Sequence, residues 1–292
     1  MTELDELARL RRSAEEGWDR ARYLDAEVRR LHGELAAERE LSQRLNADLQ
    51  VHVRQLADAA YHADGLAVWD QALPFLADPR FREAYRTGMS SGHHIGRARG
   101  ASDDIHVEWR VHVVLWAAQL ATRLAGDYVE CGVNTGMYSL AVCKYLDFTS
   151  LDRDFWLFDT YAGIPLTQAH ETERDKAIAD NASNYDECFG LAQGNFAPYP
   201  RAHLVRGTVP DSLTSVKIER VAYLSIDMNL AAPERAALEY FWPELAHGAV
   251  VVLDDYGWAR RPLQRESADA FATSVGVPIL ALPTGQGIVV KT

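Results

Sequence analysis

No run of apolar residues in this 292-residue chain comes near the roughly twenty needed to cross a bilayer. The first residues are acidic and polar, not a basic stretch followed by an apolar one, so neither a membrane span nor a secretory leader is expected and the cytoplasm is the expected compartment. Cysteine is scarce. Cys131, Cys143 and Cys188 are odd in number and lack metal-ligand spacing, which fits reduced thiols. Basic charge is in deficit, with 30 Lys and Arg against 42 Asp and Glu and a net charge of −12. A phosphate-neutralising stripe is missing, so nucleic acid is not an expected partner.

Proline is absent from residues 3 to about 58, where Leu, Ala, Glu and Arg dominate. Leu7, Leu10, Ala14, Trp18, Ala21, Leu24, Val28, Leu31 and Leu35 recur at three- and four-residue steps. Leu41, Leu45, Leu49, Val53 and Leu56 continue the seam after a slip near Glu38. That period predicts a coiled coil or long amphipathic helix over residues 1–60, and so charged a helix suits self-association, a homo-oligomer, better than packing on its own domain. Gly17 and Gly33 weaken the seam, and the number of strands is not legible. Residues 61–104 change character, with Pro74 and Pro79 and then Gly88, Ser90, Ser91, Gly92, Gly96 and Gly100 around His93 and His94. This is a lid or linker segment.

From residue 105 to 292 strands and helices alternate. A helix over Ile105–Leu124 carries Trp109, His112, Val113, Trp116 and Leu120 on one face, with His112 a core residue. The expected strands are Asp127–Cys131, Asp154–Phe158, His203–Val205, Val221–Asp227 and Gly248–Asp255, closed by a hairpin of Ile279–Leu282 and Gly287–Lys291. The βαβ order predicts an α/β fold, a doubly wound Rossmann-like sheet with its ligands at the carboxyl edge.

Two of those strands run into acid. With a helix over Ala232–Leu245 between them they are parallel neighbours, releasing Asp227, Asp254 and Asp255 at one sheet edge. Crowded carboxylates repel one another, and a hard cation such as Mg²⁺ offsets that charge. A strand-end Asp beside a capping pair is the alternative reading. The first strand leads through Glu130-Cys131-Gly132-Val133-Asn134-Thr135-Gly136 into a helix beginning Met137-Tyr138-Ser139. Its G-x-x-x-G spacing gives a tight turn, with neither the G-x-G-x-x-G of dinucleotide folds nor the lysine of a phosphate loop. Asp159 ends the next strand, placed to accept from ribose hydroxyls or to cap its own loop.

Glu130-Cys131-Gly132-Val133 with Gly136, Phe158-Asp159-Thr160-Tyr161-Ala162-Gly163-Ile164-Pro165, Val205-Arg206-Gly207-Thr208-Val209-Pro210-Asp211, Ile226-Asp227-Met228-Asn229 and Leu253-Asp254-Asp255-Tyr256-Gly257 together resemble the macrocin O-methyltransferase family. The resemblance covers about residues 105 to 292. It implies a class I methyltransferase domain that uses S-adenosylmethionine and Mg²⁺ to methylate a hydroxyl of a sugar or glycosylated small molecule. By position it implies Glu130, Gly132 and Gly136 at the methionine end of the cofactor, with Asn134, Thr135, Tyr138 and Ser139 beside them. Asp159 and Thr160 would stand at the ribose and Gly207 and Thr208 at the adenine; Asp227, Asp254 and Asp255 would be the metal ligands. One departure matters: where members of the family carry a second acid two residues after the first metal aspartate, this chain has Asn229, and an amide cannot take a proton at neutral pH. His93, His94 and Tyr256 are the candidate proton acceptors, alongside Asp227. The rivals are a nicotinamide-dependent sugar enzyme, which lacks its glycine spacing and Tyr-x-x-x-Lys pair here, a metal-dependent hydrolase, and a coiled-coil scaffold with a degenerate cofactor domain.

Overall fold

The structure is a computed structural model that describes residues 3–96 and 104–292. Gly100 of the Gly/Ser-rich segment and the side chains of Ala14 and Leu56 in the N-terminal seam lie outside the described residues. The chain divides into two units, residues 1–60 with 67–70, and residues 61–66 with 71–292.

The first unit is in essence one helix, α1 (Glu3–Ala57), unbroken by proline and laced by ion pairs one turn apart such as Arg22–Asp19, Arg29–Asp25 and Arg44–Glu40. Its large apolar side chains, from Leu7 and Leu10 to Leu45 and Leu49, are exposed.

The second unit is built on a seven-stranded sheet. After two three-residue strands, β1 (Tyr61–Ala63) and β2 (Leu66–Val68), come β3 (Asp127–Cys131), β4 (Phe155–Asp159), β5 (Ala202–Arg206), β6 (Val221–Ile226), β7 (Leu245–Leu253), β8 (Leu280–Ala281) and β9 (Gly287–Val290). The order across the large sheet is β5-β4-β3-β6-β7-β9-β8. The first five are parallel, while β9 runs antiparallel to both β7 and β8. β3 and β6 are buried almost end to end, as strands covered on both faces must be; β6 accordingly reads as a near-continuous apolar run, whereas β3 carries the buried Glu130.

Helices α2 (Pro74–Ala77), α3 (Pro79–Met89), α4 (Glu108–Ala121), α5 (Met137–Leu146), α6 (Glu171–Asn184), α7 (Phe189–Phe196), α8 (Ala231–Phe241) and α9 (Pro262–Val275) complete the unit. One core cluster joins α3, α4 and α5 to one sheet face; a second joins α8 and α9 to the other.

Two expectations are corrected here. The lid or linker reading of 61–104 fails for α3, which buries Phe81, Ala84, Tyr85 and Met89 in the core; Asp78 caps it by accepting from the Arg80 amide at 2.9 Å, and Pro79 suits its first turn. The apolar face expected of α4 is also rotated: Val111, Val114, Leu115, Ala118 and Ala121 are buried while Trp116 is exposed. His112, half-buried, stacks on Phe75 at 4.1 Å between ring centres, and burial lowers its pKa.

Candidate active site

Parallel register aligns the strand ends. Cys131 stands opposite Phe158 and Ile226, and Ile226 opposite Leu253, so the following residues Gly132, Asp159, Asp227 and Asp254 leave the sheet side by side. β3 and β6 are neighbours whose onward connections run to opposite sides, the switch point at which open α/β sheets bind ligands. A cleft of about 820 Å³, open solvent at its mouth included, lies there, which is room for a nucleoside-sized ligand.

The turn after β3 forms one wall. Gly132 has φ +90°, and a Cβ there would stand 1.9 Å from the Asp227 carbonyl oxygen. The glycine is thus required by the crossing of two strand ends, not by approach to a ligand. At Gly136, φ +97°, a Cβ would meet the Phe196 ring at 2.5 Å. Asp159 Oδ2 accepts from the amides of Val133 at 2.5 Å and Asn134 at 2.8 Å, and Oδ1 from the amide of Tyr161 at 2.6 Å. The carboxylate therefore ties the turns after β3 and β4 together. Glu130 is buried and accepts from Ser139 Oγ at 2.5 Å; burial, only partly offset by that bond and reinforced by Asp159 and Asp254, pushes its pKa up to about 8. The Tyr138 hydroxyl is buried, without a hydrogen-bond partner among the described residues, on the same wall.

Of the residues expected at the cofactor, Glu130, Gly132, Asn134, Tyr138, Asp159, Thr160 and Gly207 line the cleft. Thr135, Gly136, Ser139 and Thr208 stand behind it. The Thr135 hydroxyl bonds Ser91 Oγ at 2.8 Å, and Thr208 donates to Asp211 at 3.0 Å.

The acidic group forms the other end. One carboxylate oxygen from each of Asp227, Asp254 and Asp255 lies within 4.8 Å of the other two. Asp254 is held at both oxygens, by Arg110 Nη1 at 3.0 Å and Gln286 Nε2 at 3.0 Å. Asp255 faces Arg261 Nε at 3.1 Å through Oδ1, while its Oδ2 is buried without a hydrogen-bond partner among the described residues. Burial and then the neighbouring Asp254 and Asp255 hold the Asp227 pKa well above the usual carboxylate range; burial likewise raises Asp255 to about 6 against the pull of Arg261. Glu234, in the first turn of α8, is a further buried carboxyl raised by burial and by Asp255 and Asp227.

Asn229 sits at φ +63°, donates to the Tyr185 hydroxyl at 3.2 Å, and receives Arg261 on both its backbone and side-chain oxygens. The three other candidate proton acceptors are not gathered here. His93 is buried away from the cleft lining, His94 is 3.6 Å from Asp186, and the Tyr256 hydroxyl donates to Asp269 at 2.8 Å. Tyr138, Phe158, Tyr161 and Tyr185 are the aromatic residues of the cleft lining, whereas Trp242 stands edge-on to Phe271 and Trp258 beneath Arg110. Arg110, Arg261, Glu234 and Gln286 carry no local sequence signal. Arg110 meets Asp254 across 144 positions, and the juxtaposition exists only in the fold.

Comparison with known proteins agrees with this geometry. The family model described as Macrocin-O-methyltransferase (TylF) matches residues 113–278, more than half of the chain. A tetracenomycin rhamnosyl 4'-O-methyltransferase of Streptomyces olivaceus is 28% identical over 146 residues, 47% of this chain and 55% of the relative. Mycinamicin III 3''-O-methyltransferase of Micromonospora griseorubida is 26% identical over 150 residues, 47% of this chain and 58% of the relative. The chain thus spans a little over half the length of these curated relatives. Among solved structures the O-methyltransferase NovP superposes with a TM-score of 0.56 at 20% identity, covering 65% of this chain and 84% of that one, which shows a shared fold.

Proposed function

Because this chain belongs to the macrocin O-methyltransferase family, we propose that it methylates a hydroxyl of a sugar or glycosylated metabolite, with S-adenosylmethionine as donor and a divalent ion, Mg²⁺ by preference, at Asp227, Asp254 and Asp255. The observation that carries the reading is the pairing of the cofactor-type wall, Glu130, Gly132 and Asp159, with the carboxylate cluster in one row of strand ends. The relative from Streptomyces olivaceus acts, by its name, on a rhamnosyl-tetracenomycin, which supports a sugar hydroxyl as acceptor.

The residues fit the two groups. Hard oxygen donors, crowded and desolvated, with Asp255 Oδ2 buried and unpartnered among the described residues, suit a small divalent cation. Bound there, the cation would lower the pKa of a nearby hydroxyl, and S-adenosylmethionine would supply an electrophilic methyl group on sulfur. The chain's own work is positioning. Glu130, protonated in the free protein, would ionise beside the cationic end of the donor; Asp159 holds the loop and would also accept from the ribose. Arg110 and Gln286 fix Asp254. Asn229, Arg261 and Tyr185 form a hydrogen-bonded set that orients the acceptor rather than deprotonating it. Proton acceptance falls to the carboxylate cluster, of which Asp227 lines the cleft.

Incubation with isotopically labelled S-adenosylmethionine, Mg²⁺ and a panel of glycosides and sugar nucleotides, read by mass spectrometry, tests this. Transfer to a sugar hydroxyl that stops on chelation is expected. Turnover that survives thorough EDTA treatment rules out the metal, and the absence of transfer to any sugar rules out the acceptor class.

A further inference from the structure

The helix α1 leaves an apolar seam uncovered: Leu24, Val28, Leu31 and Leu35 are 53%, 47%, 49% and 44% exposed. We propose that this seam pairs with α1 of a second copy of this chain as a parallel, in-register two-stranded coiled coil. In a single heptad frame without interruption, Leu7, Val28, Leu35 and Leu49 take a positions and Leu10, Leu24, Leu31 and Leu45 take d positions. No slip is needed near Glu38; that residue and Ser42 occupy a short polar step in the seam, and the helix runs through them unbroken.

The charges beside the seam choose the partner and its direction. In a parallel pair each g residue faces the e residue five positions on in the other helix. That sets Glu6 against Arg11, Arg20 against Asp25, Glu27 against His32 and Glu34 against Arg39 of the second copy, with no like-charge pair among them. In an antiparallel pair with full overlap g faces g, and Glu27 would meet Glu34 of the second copy twice by symmetry. In register the polar step sets Glu38 against Glu38 of the second copy at d, a like-charge layer that weakens the pair there; a shift by one heptad relieves it only by setting Glu38 against Leu31 and Leu45 and giving up a heptad of overlap. Within one helix Glu27 and Glu34 both accept from Arg30, at 2.9 Å and 2.5 Å, so each shares or exchanges that partner when it meets the second helix.

Two experiments on the full chain test the arrangement. Leu31→Cys, at d, should form a disulfide with itself across the pair under mild oxidation, since Cys131, Cys143 and Cys188 are buried. An antiparallel pair sets residue 31 against Val28 and gives no such link. Glu34→Arg should weaken association about five- to tenfold by sedimentation, Arg39→Glu should do the same, and the double exchange should restore it. A parallel pair is overturned if Glu34→Arg tightens association, as relief of the Glu27 contact in an antiparallel pair requires, if the double variant stays as weak as the singles, or if Leu31→Cys fails to cross-link.

Discussion

Asp159 shows how one carboxylate comes to serve two ends. Its oxygens take three backbone amides from the turns after β3 and β4, so Asp159→Ala removes a loop tie as well as the proposed ribose contact. The variant should bind S-adenosylhomocysteine more weakly by about 1.5 to 3 kcal/mol and also melt at lower temperature. Titration calorimetry with an unchanged dissociation constant would leave Asp159 a purely structural residue. Glu130 carries a pH signature. Its folded pKa, about 8, lies above the ordinary glutamate value, so the stability it contributes is fully present below that ordinary value and is lost as pH rises through about 8. Between about pH 5 and about pH 8.5 the ligand-free protein should therefore lose melting temperature relative to Glu130→Gln; parallel thermal curves for the two proteins would contradict the buried, protonated state. Asn229 is already bound by Arg261, so Asn229→Asp should form an ion pair with that guanidinium and give no gain in turnover. A large rate increase in steady-state assays would mean that the missing acid limits this chain.

At the scale of elements, the strand ends demand more of the sequence than the strands do. Gly132→Ala would drive a Cβ into the backbone of Asp227 in a left-handed conformation, costing on the order of 3 kcal/mol or more. We expect mostly insoluble protein, or a melting point lowered by many degrees in circular dichroism; a variant with native stability would show that β3 and β6 can separate at their ends. The same strands were the legible part of the fold. β4, β6 and the second half of β7 are near-continuous apolar runs that reach Asp159, Asp227 and Asp254, so both the sheet and its acidic edge could be read directly. Helix α6 could not, because it buries Ala177 alone and shows no apolar stripe. Helix α3 was hidden by the prolines before it and the glycines after it, although Phe81, Tyr85 and Met89 stand at four-residue steps. Arg110, Arg261 and Gln286 join the site only through tertiary contact, and composition near them differs little from any polar loop or helix.

For the molecule as a whole, the two units invite separate tests. Removing residues 1–58 should lower the mass per particle by more than the deleted chain accounts for, while the remaining protein still binds S-adenosylhomocysteine. Light scattering with unchanged stoichiometry would place association elsewhere. Within the larger unit, Asp254 is held by Gln286, which lies in the turn between β8 and β9, far along the chain from Asp227 and Asp255. A nascent chain that has emerged from the ribosome only as far as Asp255 holds all three carboxylates yet lacks the amide that fixes one of them. Completion of the acidic cluster is then a late event in synthesis: stalled or prematurely released chains, even with most of the sheet in place, would lack the proposed metal and acceptor site until the final antiparallel pair has docked.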